Sequence, residues 1–385
     1  MDCHATTPLD PRVIEAMMPA FQSDFGNAWS RHHVYGWRAN AAVDIARQQL
    51  AHLIGCTPAE IVFPSGATES NNLALKGSLA AYSDRGNHIV TVGTEHKSVL
   101  DVCKSLERRG TQVTYLPVAR DGRVDLNQLA DALTDQTVVC SVMVANNEIG
   151  TLQPILEIGQ LCRQRGILFH SDAVQGVGKI PLDVNQAQVD LLSVSAHKLY
   201  GPKGVGALFV RKKPRVRLEG LIEGGGQERG LRSGTLNVPG IVGLGKAAEL
   251  CEAGMTGEAL RIGGLRDRLW MQISTTLPGV TQNGSLDHRL PGNLNVSFSF
   301  IDAEALMLAL RGVAVSSSSA CTSASVEGSY VLKACGVSEH LARGSIRFGL
   351  GRFNTAEEVD QVAAEVIDKV QHLRQTNRLF QEASR

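Results

Sequence analysis

The 385-residue sequence predicts an α/β protein, with a large domain on a mostly parallel sheet and a smaller α+β domain. Three observations carry that expectation. From Glu60 to Val210, short apolar runs alternate with helical segments. Several runs end abruptly in reactive polar residues, as parallel strands do where they meet a cleft. Beyond a helical connector from about Val238 to Met271, the pattern changes to separated strands and one closing helix.

The elements follow in order. A polar turn leads to a helix after Pro11, and a Gly/Asn-rich loop passes into a helix with Val43, Ala46, Leu50 and Leu53 on one face. Glu60 to Phe63 reads as a strand that turns through Ser65, Gly66, Ala67 and Thr68 into a helix. Then come HIVTVGTEH, a helix from Ser98 to Arg109, QVTYLPV, a helix near Asp125 to Leu133, TVVCSVMVANNEIG and a helix from Ile155 to Arg165. The stretch ILFHSDAVQGVGKIPLDVNQAQVDLLSVSAHKLYGPKGVG supplies two more strands, and GALFVRKK reads as an edge strand. EGGGQERGLRSGT, from Glu223 to Thr235, has too few apolar residues to pack and reads as a surface loop or a lid. NLNVSFSF, GVAVSSS and SIRFGLG are the later strands, and Thr355 with Glu358 forms a capping box for the last helix. The expected division is 15–250 for the large domain, with 1–14 and 251–385 in the small one.

Composition narrows the function. The 38 basic and 38 acidic residues cancel, so charge offers no attraction to nucleic acid or an anionic membrane. The basic run Arg211 to Arg217 reads as a solvated strand end. The eight cysteines show no CxxC pair or metal-ligand spacing, and no apolar run would span a bilayer. A reduced, cytoplasmic protein is expected, with most cysteines as core residues and Cys321 as the exception.

The chemistry concentrates at strand ends. Asp172 and Lys198 follow two adjacent apolar runs and are expected to face one cleft. Taken alone they are equally a salt bridge. The functional reading is a pyridoxal phosphate site, with the lysine forming the Schiff base and the aspartate keeping the ring nitrogen protonated. The turn at Ser65 to Thr68 supplies a phosphate cup, since backbone N–H groups at a helix start point outward, although any capped helix start looks similar. His96 and Asn147 stand at strand ends on the same side. Arg232 and Thr235 in the Gly-rich loop are candidates for reaching a phosphate.

With these residues laid out, the chain closely resembles the cysteine desulfurases of the NifS/IscS type, within the fold type I pyridoxal phosphate enzymes. The resemblance runs in order through FGNAWSRHHVYGW, EIVFPSGATESNNLALKG, TEHKSVLD, VANNEIGT, HSDAVQGVGKIPLD, SAHKLYGPKGVGAL, GGGQERGLRSGT, SSSSACTSASVEGSYVLKA and SIRFGLGRF. It implies a seven-stranded large sheet. It also implies Lys198 as the Schiff-base lysine, Asp172 at the ring nitrogen, Gln175 at the ring oxygen and His96 stacked on the ring. Ala67, Thr68, Ser195 and His197 would hold the phosphate, and Thr235 would reach it from a partner subunit, which makes a homodimer. Asn147 and Arg347 would orient the substrate carboxylate.

Cys321, in the polar run Ser316 to Ser325, would take sulfur from L-cysteine as a persulfide, release L-alanine and pass the sulfur to an iron–sulfur scaffold or another acceptor. No resident metal is implied, with Cys321 at most a transient cluster ligand in a partner complex. The same fold leaves a selenocysteine lyase or an aminotransferase as alternatives, and a non-catalytic binding subunit as another. The sequence departs from the family at Cys3 and His4, where asparagines are common, at Ser318 and Gly328, and in a short tail after Arg374.

Overall fold

The computed structural model describes residues 1–317, 328–377 and 380–381. Seven strands form the large sheet: β1 Ile61–Val62, β2 His88–Val92, β3 Gln112–Leu116, β4 Thr137–Ser141, β5 Leu168–Asp172, β6 Leu191–Ser195 and β7 Gly206–Val210. They run in the order β1-β7-β6-β5-β4-β2-β3. The five from β3 to β6 are parallel, whereas β7 is antiparallel to both neighbours. The strand β7 is therefore not the expected edge. The two-residue β1 lies outside it, because the chain returns to pair Ile61 with Phe209.

β2, β4, β5 and β7 are buried throughout, so period-2 alternation is missing from their sequences. Phe169, Val194, Phe209 and Leu192 join Val43, Ala46 and Leu50 of the helix Val34–Leu53 in one core. The helix Ala67–Ala81 packs on the other face with Leu73, Leu75 and Leu208.

A single helix, Val238–Thr276, runs from the first core to a second one. There β8 Val280–Gln282, β9 Asn293–Phe298, β10 Ser316–Ser317 and β11 Ser345–Gly349 form an antiparallel sheet in the order β10-β11-β9-β8. The short β8 has no apolar run to announce it. The closing helix Ala356–Thr376 begins with the expected capping box and buries Val359, Ala363, Val366 and Val370. The N-terminus joins this sheet, with Cys3 N donating to Gly349 O at 2.9 Å.

One surface reading is corrected at a single residue, and the other gains an anchor. Arg211 is no solvated strand end, since it is buried and donates to the Val189 and Val184 carbonyls and to Asn185 Oδ1. The Gly-rich segment is fastened at Glu228, which is buried and pairs with Arg47 at 2.7 Å. Glu228 also accepts from Phe63 N at 2.9 Å.

Candidate active site

Parallel strands place their C-terminal ends along one edge, and here β2, β4, β5 and β6 deliver His96, Asn147, Asp172 and Lys198 to the same cavity. Its volume is about 680 Å³. Ala67, Thr68, Gln175, Ser195, His197 and Arg347 line it as well. Every expected site residue is thus brought together except three. Arg232 pairs with Glu69 at 3.1 Å and does not line the cavity, and Thr235 is exposed and does not line it either. Cys321 lies outside the described residues, although Ser316 and Ser317, just before that stretch, line the wall.

Asp172 ends β5 and is held by donors on both oxygens. Asn71 Nδ2 donates to Oδ2 at 2.8 Å, and Val174 N donates to Oδ1 at 3.1 Å. Both oxygens are thus fixed in place, and the carboxylate lines the cavity as an acceptor for a ring N–H. Asn71 also donates to Ser98 Oγ at 2.8 Å. Ser98 in turn meets His96, whose Nδ1 accepts from Ser98 N at 3.1 Å. That bond places the His96 proton on Nε2, and burial lowers its pKa against the opposing pull of Asp172. Asn71 and Ser98 were not singled out from sequence. Their signal was present, because each lies in the first turns of a helix that follows a cavity-facing strand end.

The phosphate turn takes its shape from a close approach. A side chain on Gly206 would lie 2.8 Å from Gly66 Cα, so only glycine lets β7 run this near. The helix Ala67–Ala81 starts immediately, and its first free N–H groups open into the cavity with the Thr68 hydroxyl. Ser195 and His197 stand near them on the β6 side. His197 is held by Thr6 Oγ1 at 3.1 Å and pushed down to about 4, first by burial, so it is neutral at pH 7.

Lys198 Nζ donates to the His4 and Ala5 carbonyls at 2.5 and 2.7 Å. Opposite, Arg347 on β11 donates to Asn147 O at 2.8 Å and pairs with Asp2 at 2.9 Å. Arg347 Nε and Asn147 Oδ1 are buried without a partner among the described residues. Glu148, also on the wall, accepts from Ser329 Oγ at 2.6 Å and is raised by burial to about 7.

This donor set fits pyridoxal phosphate. It offers N–H and hydroxyl donors for a dianion, a buried carboxylate for a ring N–H, and an amine for the aldehyde, all on one cavity. Among the described residues no cluster of His, Cys, Asp and Glu could hold a metal ion, and no helix is long and apolar enough to cross a membrane.

Comparison with known proteins agrees. Residues 1–362 match the aminotransferase class-V family. The curated Cysteine desulfurase IscS of Anaeromyxobacter sp. (strain Fw109-5) is 58% identical over 381 residues, which cover 99% of this chain and 94% of that protein. A solved NifS-like protein superposes with a TM-score of 0.90 at 38% identity, over 96% of this chain and 98% of its own. The structure of SspA in complex with cysteine gives a TM-score of 0.81 at 37% identity, over 92% of this chain and 99% of its own. With such likeness along nearly its whole length, the chain belongs to the pyridoxal phosphate-dependent cysteine desulfurases of the IscS type, within the class-V aminotransferase family.

Proposed function

We propose that this protein removes sulfur from L-cysteine, leaves L-alanine, and carries the sulfur on Cys321 for delivery to an iron–sulfur scaffold or another acceptor. The observation that carries the reading is the meeting of Lys198, Asp172 and the phosphate turn in one cavity, built from neighbouring strand ends. Pyridoxal phosphate bound there supplies an electron sink for negative charge at the substrate α carbon.

The chain's own residues do the rest. Ala67 and Thr68 N–H, the Thr68 hydroxyl, Ser195 and His197 hold the phosphate, while Asp172 and Gln175 fix the ring edges. Asn147 and the Arg347 guanidinium orient the substrate carboxylate, the arginine through two N–H groups. Lys198 Nζ accepts the α proton as general base, and His96, neutral with Nε2 protonated, moves protons over the ring. The Cys321 thiolate attacks the substrate sulfur. The carbon–sulfur bond breaks as the new sulfur–sulfur bond forms, and the thiol proton ends on the methyl group of alanine.

A homodimer is part of this reading, with Thr235 reaching the partner's phosphate. It is supported by the exposed apolar side chains of Phe21, Phe25, Trp29 and Trp37, each about half exposed or more, within a short stretch of chain. The seven described cysteines are free thiols, which suits a cytoplasmic setting.

Mass spectrometry after incubation with L-cysteine tests the reaction. The expected result is one added sulfur on the peptide containing Cys321. A wild type that gains no sulfur and turns L-cysteine into its keto acid, with the carbon–sulfur bond intact and no alanine formed, would instead mean an aminotransferase.

A further inference from the structure

Behind Gln175 lies a lysine for which the chemistry above has no use. Lys179 follows Gln175 by four residues in the turns after β5, and its Nζ donates to Gln175 Oε1 at 3.0 Å. His4 Nδ1 meets the same oxygen at 2.9 Å, and Gln175 Nε2 donates to the His4 carbonyl at 3.0 Å. That carbonyl is also the one Lys198 Nζ reaches.

The donors decide the orientation. An ammonium only donates, so the Gln175 oxygen must face Lys179, and His4 must carry its proton on Nδ1. His4 Nε2 is then a bare acceptor, buried without a partner among the described residues. Both lone pairs of Oε1 are taken and one Nε2 hydrogen is engaged. A single N–H remains for the cavity that Gln175 lines. Flipping the amide would break three hydrogen bonds.

Lys179 lines a small cavity together with Cys3, Tyr200, Met255, Glu258, Ile262 and Leu350. Lys198 from the turn after β6 and Arg347 from β11 both repel it. Cys3 and Cys251 are thiols whose own pKa values burial raises, and buried His4 is kept neutral, so none of the three compensates. Tyr200 is likewise raised by burial, and Glu258 is already paired with Arg352 at 2.7 Å. Burial and then the Lys198 charge push the Lys179 amine down to about 7.

We propose that Lys179 and His4 are positioning residues that clamp Gln175. They aim its N–H at the ring oxygen of the cofactor, and the charge on Lys179 disfavours a second positive charge on the nitrogen of Lys198. This rests on the reading of Gln175 as the ring-oxygen partner and of Lys198 as the Schiff-base lysine. The sign follows from reciprocity: what Lys198 does to the proton affinity of Lys179, Lys179 does to that of Lys198.

The test is a pH titration of the visible absorbance band of the holoenzyme, read in Lys179→Arg, Lys179→Met and the wild type. Arginine stays charged throughout and methionine never is. The band of Lys179→Met is expected to titrate about one pH unit above that of Lys179→Arg, with the wild type between. Equal values in the two variants overturn the clamp and leave the ring contact of Gln175 standing. Should methionine prevent folding, Lys179→Gln serves as the neutral arm. Gln175→Ala, run alongside, is expected to shift the band. An unshifted band overturns the reading of Gln175 itself and the clamp with it.

Discussion

Two regions of the molecule are built in different ways, the strand-end rim of the cavity and the Gly-rich segment that does not line it. The strand-end rim carries Asp172, Ser195 and Lys198, each within a few residues of a strand buried in the core, and the register Asp172 to Ser193 sets their spacing. The Gly-rich segment, residues 223–235, has no strand beneath it. It is fixed by side chains distant in sequence, Arg47 on Glu228 and Glu69 on Arg232. Its backbone turns through left-handed conformations at Glu228 (φ 47°) and Arg229 (φ 62°). Such conformations cost about 1 to 3 kcal/mol each in a non-glycine residue, and the buried pair holds them. Preorganisation can thus come from a continuous sheet or from a few charged pins, and the second is far easier to undo.

The first way to probe the contrast removes function without disturbing the sheet. Lys198→Ala is expected to abolish the visible absorbance and lower desulfurase turnover by at least about a thousandfold. Its melting temperature should stay near that of the cofactor-free wild type.

In the Gly-rich segment, Glu228→Ala removes the ion-pair partner of Arg47 and the acceptor of the Phe63 N–H. A loss of about 3 to 5 kcal/mol in denaturant unfolding is expected. On the proposed role of Thr235 at a phosphate, cofactor affinity should fall with it. A variant as stable as the wild type would mean that the Gly-rich segment is not pinned.

The strand side has its own weakness, in acid. His170 on β5 lies between Ser141 Oγ at 2.8 Å and Ser193 Oγ at 3.1 Å, and burial lowers it from 6.5 to about 3. The unfolded chain therefore binds this proton first. The stability it contributes is complete above 6.5 and is lost as pH falls toward 3. Between pH 6.5 and about 4 the wild type should lose about 3 kcal/mol more than His170→Gln, read from melting curves across that range.

The smallest effect is expected at the partly exposed pair. Arg232→Ala should cost about 1 kcal/mol or less, since solvent screens its bond to Glu69. A larger loss would show that both pins of the Gly-rich segment matter equally.

The strand-end rim was legible because its signals are local. An apolar run that stops at Asp172 or before Lys198 identifies the buried strand and the exposed tip in the same few residues. The phosphate turn was legible for the same reason. Nothing comparable announces Asn71 on Asp172, His4 on Gln175 or Arg47 on Glu228. These partners stand 101, 171 and 181 residues apart, and each reads alone as an ordinary surface polar residue. The same limit explains β7, placed at an edge because its apolar run says nothing about which strand returns beside it, and Arg211, placed in solvent because a basic run does not reveal the carbonyls above it.

The sequence by itself therefore determined the order of the elements, the residues at each strand tip and the family to which they belong, because hydrophobic periodicity and turn chemistry act over short distances along the chain. Only the tertiary structure decided which side chains hold those tip residues in place and which buried charges are paired. Hydrogen bonds and ion pairs depend on separation in space, and folding brings together partners that lie far apart in the chain.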